Sequence, residues 1–112
     1  MFGLAFRPGS AGIAVGGDYA APTAATAVAA VLGRHGWQLP VTGPSGYRSG
    51  VTFVPRTAAT ALAVGLNGSD VTVDGGRHWR TFDTGQFDSV SCAGDGSCWA
   101  SGDLGRVAVL HR

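Results

Sequence analysis

Short apolar runs, each closed by glycine and a polar turn, set the rhythm of this chain. GIAVGGD starts at Gly12, ALAVGLNGSD at Ala61 and CWASGDLGRV at Cys98. Another short apolar run precedes each of them: FGLAF, SGVTFV and FDSVSC. Two of the three are followed by a third run and a tryptophan, Trp37 and Trp79, which lie 42 residues apart. Runs this short, bounded by Gly, Asp and Asn, read as strands joined by turns. The pattern predicts strands near 2–6, 12–17, 26–32 and 37–41, then near 48–54, 60–65, 70–74 and 78–82. A third unit offers strands near 87–92, 97–102 and 105–110 and lacks a fourth. The stretch 20–33, AAPTAATAVAAVLG, is the least decided. Its alanines, with Pro22 as a start and Gly33 as a cap, also fit a short helix, but its place in the repeat favours a strand after a loop.

A period of about 40–50 residues holding four strands is what the blades of a β-propeller give. The expected fold is therefore all-β, a partial propeller of about three four-stranded antiparallel blades. Its repeat units fall at 1–42, 43–85 and 86–112 of a single domain, the last blade lacking its outer strand. Propellers have about four to eight blades, so this arithmetic leaves open edges, which invite pairing with other chains. A piece of a longer protein or a truncated gene product is expected, or else self-association through the open blade edges, for instance two copies completing a six-bladed ring.

The stretch VTVDGGRHW, Val71 to Trp79, reads as a structural staple. The Asp74 carboxylate can accept backbone N–H groups of its own turn. Gly75 and Gly76 can take positive φ without steric cost. Trp79 can lay its ring on the neighbouring layer, and Thr72 can bond across the turn. None of these roles needs a ligand. The spacing Thr72-x-Asp74-x-Gly76-x-x-Trp79 resembles the Asp-box of the BNR, or sialidase-type, repeat. The first unit keeps Trp37 in AVLGRHGW but has Leu32 and Arg34 where the Asp and Gly would sit. More widely, GIAVGGDYAAPT, GYRSGVTFVP, AVGLNGSDVTVDGGRHWRTFDTG and FDSVSCAGDGSCWASGDLGRVAVL resemble the C-terminal part of bacterial BNR-type propellers. Those are related to the plant photosystem II stability/assembly factor and often carry the label oxidoreductase. The resemblance implies a propeller fold and often an exported protein; it implies no particular reaction.

Composition narrows the functional classes. The 112 residues carry a formal charge of +1 with only 13% charged residues. Every basic residue is Arg and every acidic one Asp; Lys and Glu, the charged residues best suited to helix surfaces, are absent. A near-neutral chain has no basic arm to neutralise phosphates, so nucleic acid is not an expected partner. No apolar run reaches about 18 residues, so no membrane span is expected. The start MFGLAFRPGS lacks the long apolar core of a signal peptide.

Candidate chemistry is sparse. Cys92 and Cys98 flank AGDGS across an expected hairpin, where they could form a disulfide, remain two buried thiols or serve a redox or metal role. A bridge would point to an oxidising compartment, periplasmic or extracellular. His35, His78 and His111 show no metal-ligand spacing, and neither a metal nor a cofactor is expected. No nucleotide-binding glycine loop or nucleophile elbow occurs, and no catalytic residue is assigned. One constellation has binding potential. Loops at equivalent places carry Asp18 and Tyr19, then Asn67 to Asp70, then Gly102 to Arg106. With Tyr47 and Arg48, they nominate Asp18, Tyr19, Tyr47, Arg48, Asp70 and Arg106 as a binding face. The expected function is a non-catalytic scaffold for a protein or polymer; the alternative is an enzyme on a sialidase-like or oxidoreductase-labelled propeller.

Overall fold

The structure is a computed structural model that describes residues 3–7, 11–17, 28–33 and 35–111. It contains three antiparallel sheets, each a meander in chain order. The first holds β1 (Gly3–Arg7), β2 (Ala11–Val15), β3 (Ala29–Gly33) and β4 (Gly36–Gln38). The second holds β5 (Gly50–Phe53), β6 (Ala61–Gly65), β7 (Gly68–Thr72) and β8 (Arg80–Asp83). The third holds β9 (Ser89–Cys92), β10 (Cys98–Ser101) and β11 (Val107–Val109), with a 3-10 turn at Asp103–Gly105 before β11. The chain is all-β with three antiparallel sheets, as the pattern of short apolar runs predicts.

Several strand limits differ from those the sequence suggests, each for a local reason. β4 stops at Gln38 rather than 41, because Pro40 has no N–H to give a ladder. β7 begins at Gly68 rather than 70: Gly65 pairs with Gly68, so the turn is only Leu66 and Asn67. Gly68 takes φ of +146° there, beyond the reach of most side chains. β8 begins at Arg80 because the amides of Arg77 and His78 already donate to Asp74. Of the stretch 20–33, residues 20–27 lie outside the described residues, and Ala29–Gly33 is strand.

The three sheets stack face to face. Sheet two is the middle layer, so β6 and β7 are buried along their whole length. A strand covered on both faces reads as a continuous apolar run, which explains ALAVG. The face on the side of the preceding sheet is the leading face and that on the side of the following sheet the trailing face; among the described residues, the leading face of sheet one and the trailing face of sheet three have no neighbouring sheet. Ile13, Val15 and Ala29 of the first trailing face pack with Ala61, Ala63, Trp79, Val51 and Phe53 of the second leading face. Leu62, Val64 and Val71 of the second trailing face pack with Cys98, Ala100, Val90, Cys92 and Ala108 of the third leading face. The same faces meet twice.

The lead-in to each sheet follows a second rule. The Arg48 amide donates to the Gly16 carbonyl and the Phe87 amide to the Gly65 carbonyl, at 2.9 and 3.1 Å. One residue later, Ser49 donates to Val64 and Asp88 to Ser101. Each lead-in thus binds both the sheet it leaves and the sheet it starts. Glycine at these crossings is a matter of space. A Cβ on Gly65 would overlap the Tyr47 carbonyl, and one on Gly102 would lie 2.9 Å from the Gln86 carbonyl oxygen. Arginine straps tie the first hairpins together as well. Arg7 donates to the carbonyls of Val54, Thr57 and Ala58, and Arg56 donates to Gly94.

Cys92 and Cys98 face each other across β9 and β10 and form a disulfide. It closes the hairpin 93–97, in which the Asp95 carboxylate accepts the Ser97 amide and hydroxyl at 3.0 and 2.7 Å. No helix among the described residues is long and apolar enough to cross a membrane.

Candidate functional site

The turn at Val71–Trp79 is closed upon itself. The Thr72 hydroxyl donates to Asp74 Oδ1 at 2.9 Å and accepts the Gly76 amide at 3.0 Å. Asp74 Oδ1 also accepts the amides of Arg77 and His78, at 3.1 and 3.0 Å. Asp74 Oδ2 lies 2.6 Å from His78 Nδ1. Desolvation works against the Asp74 carboxylate, yet the His78 ring and amide and the Thr72 hydroxyl outweigh it and bring the pKa down to about 2. The indole N–H of Trp79 donates to the Gly76 carbonyl at 2.9 Å, which sets the buried ring against the first sheet. Gly76 has φ of +103°, and a Cβ there would press on Val31 and Ile13 at 3.1 and 3.2 Å. All four positions of the motif therefore fix one turn and its docking.

The residues nominated for a binding face separate into two groups. Asp18 and Tyr19 lie outside the described residues. Tyr47, Arg48 and Asp70 are buried instead of displayed: Arg48 is 0% and Asp70 1% exposed. Their burial rests on pairing, because a charge leaves water only when a partner and hydrogen bonds replace it. Arg48 Nε meets Asp70 Oδ2 at 2.7 Å. The other guanidinium nitrogens donate to the Tyr47 carbonyl, to Asn67 Oδ1 and to Ser45 Oγ, at 2.7, 2.6 and 2.7 Å. Asp70 Oδ1 further accepts the Thr81 hydroxyl at 2.6 Å. Arg48 thereby props the Leu66–Asn67 turn from inside.

Arg106 has the other fate. It is exposed, makes no ion pair among the described residues, and its Nη1 donates to the Gln86 carbonyl at 3.3 Å. It lines a small cleft of about 170 Å³ with Leu66, Gln86, Asp88, Asp103 and Leu104. The turn after β6, the lead-in to β9 and the loop after β10 all meet here. Leu104 sits at φ of +60°, in the left-handed region that a leucine seldom adopts, and its side chain is fully exposed. Gly105 follows at φ of +73°. The loop is fixed at its base, where the Gly102 amide donates to the Arg106 carbonyl at 2.9 Å and the Arg106 amide to the Asp103 carbonyl at 3.2 Å. A cation, two carboxylates and two leucines thus share one rim. Among these residues no nucleophile is paired with a base.

Sequence reasoning named Arg106 and its loop but missed Leu66, Gln86 and Asp88. Glycine on both sides of Asp103-Leu104 was a legible sign of a projecting tip. Nothing in the sequence marks Gln86, which joins the cleft only because the lead-in crosses Gly102. Among the described residues no three His, Cys or Asp side chains gather as a metal would require. Comparison of the chain with protein-family models, curated proteins and solved structures finds no match.

Proposed function

We propose that this chain is part of a β-propeller and works as a non-catalytic binding scaffold, similar in role to the photosystem II assembly factors its sequence resembles. The observation that carries this reading is the rim at Leu66, Asp88, Leu104 and Arg106, where loops at equivalent places in two sheets come together. Propellers bind with such loop faces, on a scaffold that the sheets hold rigid. The four-, four- and three-stranded meanders and the resemblance of Thr72, Asp74, Gly76 and Trp79 to an Asp-box support the propeller. The inner strands support it too: Gly3 of β1 lies against Gly50 of β5, and Gly50 against Ser89 of β9, as first strands do around a propeller axis. The polar groups of the turn and of the Arg48–Asp70 pair are engaged with the protein itself, which favours a scaffold over a sialidase-like enzyme. The partner is a protein or polymer of the cell envelope. The Cys92–Cys98 bridge is compatible with a periplasmic or extracellular place.

The test pairs binding with turnover. Immobilised chain is presented with envelope polysaccharides and envelope protein fractions, and bound species are compared with those of L104D and R106D variants. The scaffold reading expects specific binding that both variants reduce at least about tenfold, which corresponds to about 1.4 kcal/mol. Hydrolysis of a fluorogenic sialoside by the chain, or binding indifferent to both variants, would contradict it.

A further inference from the structure

The two outermost faces of the stack carry apolar side chains that no sheet of the described residues covers. Leu4, Phe6 and Trp37 stand on the leading face of sheet one, and Trp99, Val107 and Val109 on the trailing face of sheet three. Each is far from buried; Phe6 is 61% and Trp99 49% exposed. Clustered exposure of this kind marks an interaction surface. The Phe6 and Trp37 rings meet edge to face at 6.3 Å, with the Phe6 ring over Gly12, so the first patch is continuous across the sheet. The second forms a shallow groove of about 190 Å³, lined by Trp99 and Val107 and by the serines 89, 91 and 101.

Strand register shows what these faces are. On leading faces, Leu4 pairs with Ala14 and Phe6 with Gly12; Val51 pairs with Ala63 and Phe53 with Ala61; Val90 pairs with Ala100 and Cys92 with Cys98. On trailing faces, Ile13 pairs with Val31, Leu62 with Val71, and Trp99 with Val109. The uncovered leading face therefore repeats two faces that are already docked, and so does the uncovered trailing face. Within the chain, a leading face lies on a trailing face at both junctions. The surface that fits Trp99 and Val109 is a leading face, and the leading face left over is that of Leu4, Phe6 and Trp37.

From this we infer that a second copy of the chain covers these faces head to tail, the Leu4–Phe6–Trp37 face of one copy lying on the Trp99–Val107–Val109 face of the other. The contact continues the internal sheet-on-sheet junction across two molecules and uses the faces of the end sheets rather than their strand edges. It is heterologous: two different patches meet, and each copy carries both. The inference rests on the repeated junction and does not need the scaffold reading.

Heterologous contact has a signature that isologous contact lacks. F6D spoils one patch and W99D the other, and both residues are exposed, so folding is preserved and is checked by circular dichroism. In a mixture, the intact trailing face of F6D can still meet the intact leading face of W99D. Light scattering after size exclusion, on the full chain with its disulfide closed, is expected to show wild type rising with concentration from 11.3 kDa to at least twice that mass. Each variant alone is expected to remain at 11.3 kDa, and the equimolar mixture to regain the doubled mass. A wild type that stays at the mass of one chain at its highest soluble concentration would overturn the inference. So would a folded variant that dimerises alone, or a mixture of folded variants that does not.

Discussion

Replacing Arg48 with methionine removes the most deeply buried cation of the described residues and keeps much of its volume. Four side-chain hydrogen bonds are lost, to Asp70 Oδ2, the Tyr47 carbonyl, Asn67 Oδ1 and Ser45 Oγ. The Asp70 carboxylate stays behind at 1% exposure with Ser45 and Thr81 as its remaining donors. Breaking a buried ion pair from one side costs about 3–5 kcal/mol, because the surviving charge is left without compensation. The Ser45 amide and hydroxyl and the Thr81 hydroxyl, which remain on Asp70, place R48M near the lower end, at about 3 kcal/mol. A domain of 112 residues has a total stability of about 6–17 kcal/mol, so the loss is a large share of it. In thermal terms it corresponds to a Tm lower by about 12 °C or more. The double variant R48M/D70L replaces both charges by apolar groups and is expected to cost less than the sum of the single changes. Urea unfolding followed by tryptophan fluorescence measures all three. A loss under about 1 kcal/mol for R48M would refute the argument, since that is what an exposed ion pair gives. So would additivity between the two sites.

Three further outcomes follow from the same structure. D74A removes the acceptor of the Arg77 and His78 amides and the partner of His78, and is expected to destabilise by about 1–3 kcal/mol at neutral pH. Because the folded pKa of Asp74 is depressed to about 2 from 3.8, the wild-type advantage is complete above 3.8 and vanishes as pH falls through 2; urea midpoints of wild type and D74A should converge there. G65A drives a Cβ into the Tyr47 carbonyl and should unfold at clearly lower urea, whereas G94A, which meets nothing within 4 Å, should stay within about 0.5 kcal/mol of wild type. Reduction of the Cys92–Cys98 bridge opens a short loop and should lower stability by about 2–3 kcal/mol, read as a Tm shift with and without reductant.

The strand order was legible because β2, β6 and β10 lie in short apolar runs that end in glycine and a polar turn, each preceded by another short run. The disulfide was legible as one of several readings, and the hairpin register that sets Cys92 opposite Cys98 decides it. Burial of charge was not legible. Arg48 and Asp70 are 22 residues apart, and charged residues are almost always exposed unless paired. Only the lead-in crossing brings these two together, so sequence reasoning placed both on the surface. The Leu66–Asn67 turn was misjudged for a related reason. The expected strands 60–65 and 70–74 left residues 66–69 to the turn, whereas Gly68 supplies the first pair of β7 and Asn67 serves Arg48. Faces, unlike strands, depend on which side of the pleat meets a neighbour, and alternation alone does not name that neighbour.

The account stands on the three sheets being one stacked unit, joined through the lead-ins. Native-state hydrogen exchange at the amides of Arg48, Ser49, Phe87 and Asp88 tests this most directly. All four lie outside strands; Arg48 and Phe87 donate across a junction, to Gly16 and Gly65, while Ser49 and Asp88 donate into the sheet that follows, to Val64 and Ser101. The account predicts that they exchange as slowly as the amides of β6, by the same global opening. If they exchange at loop rates while β6 remains protected, the lead-ins do not hold the sheets together and the stacked architecture is contradicted.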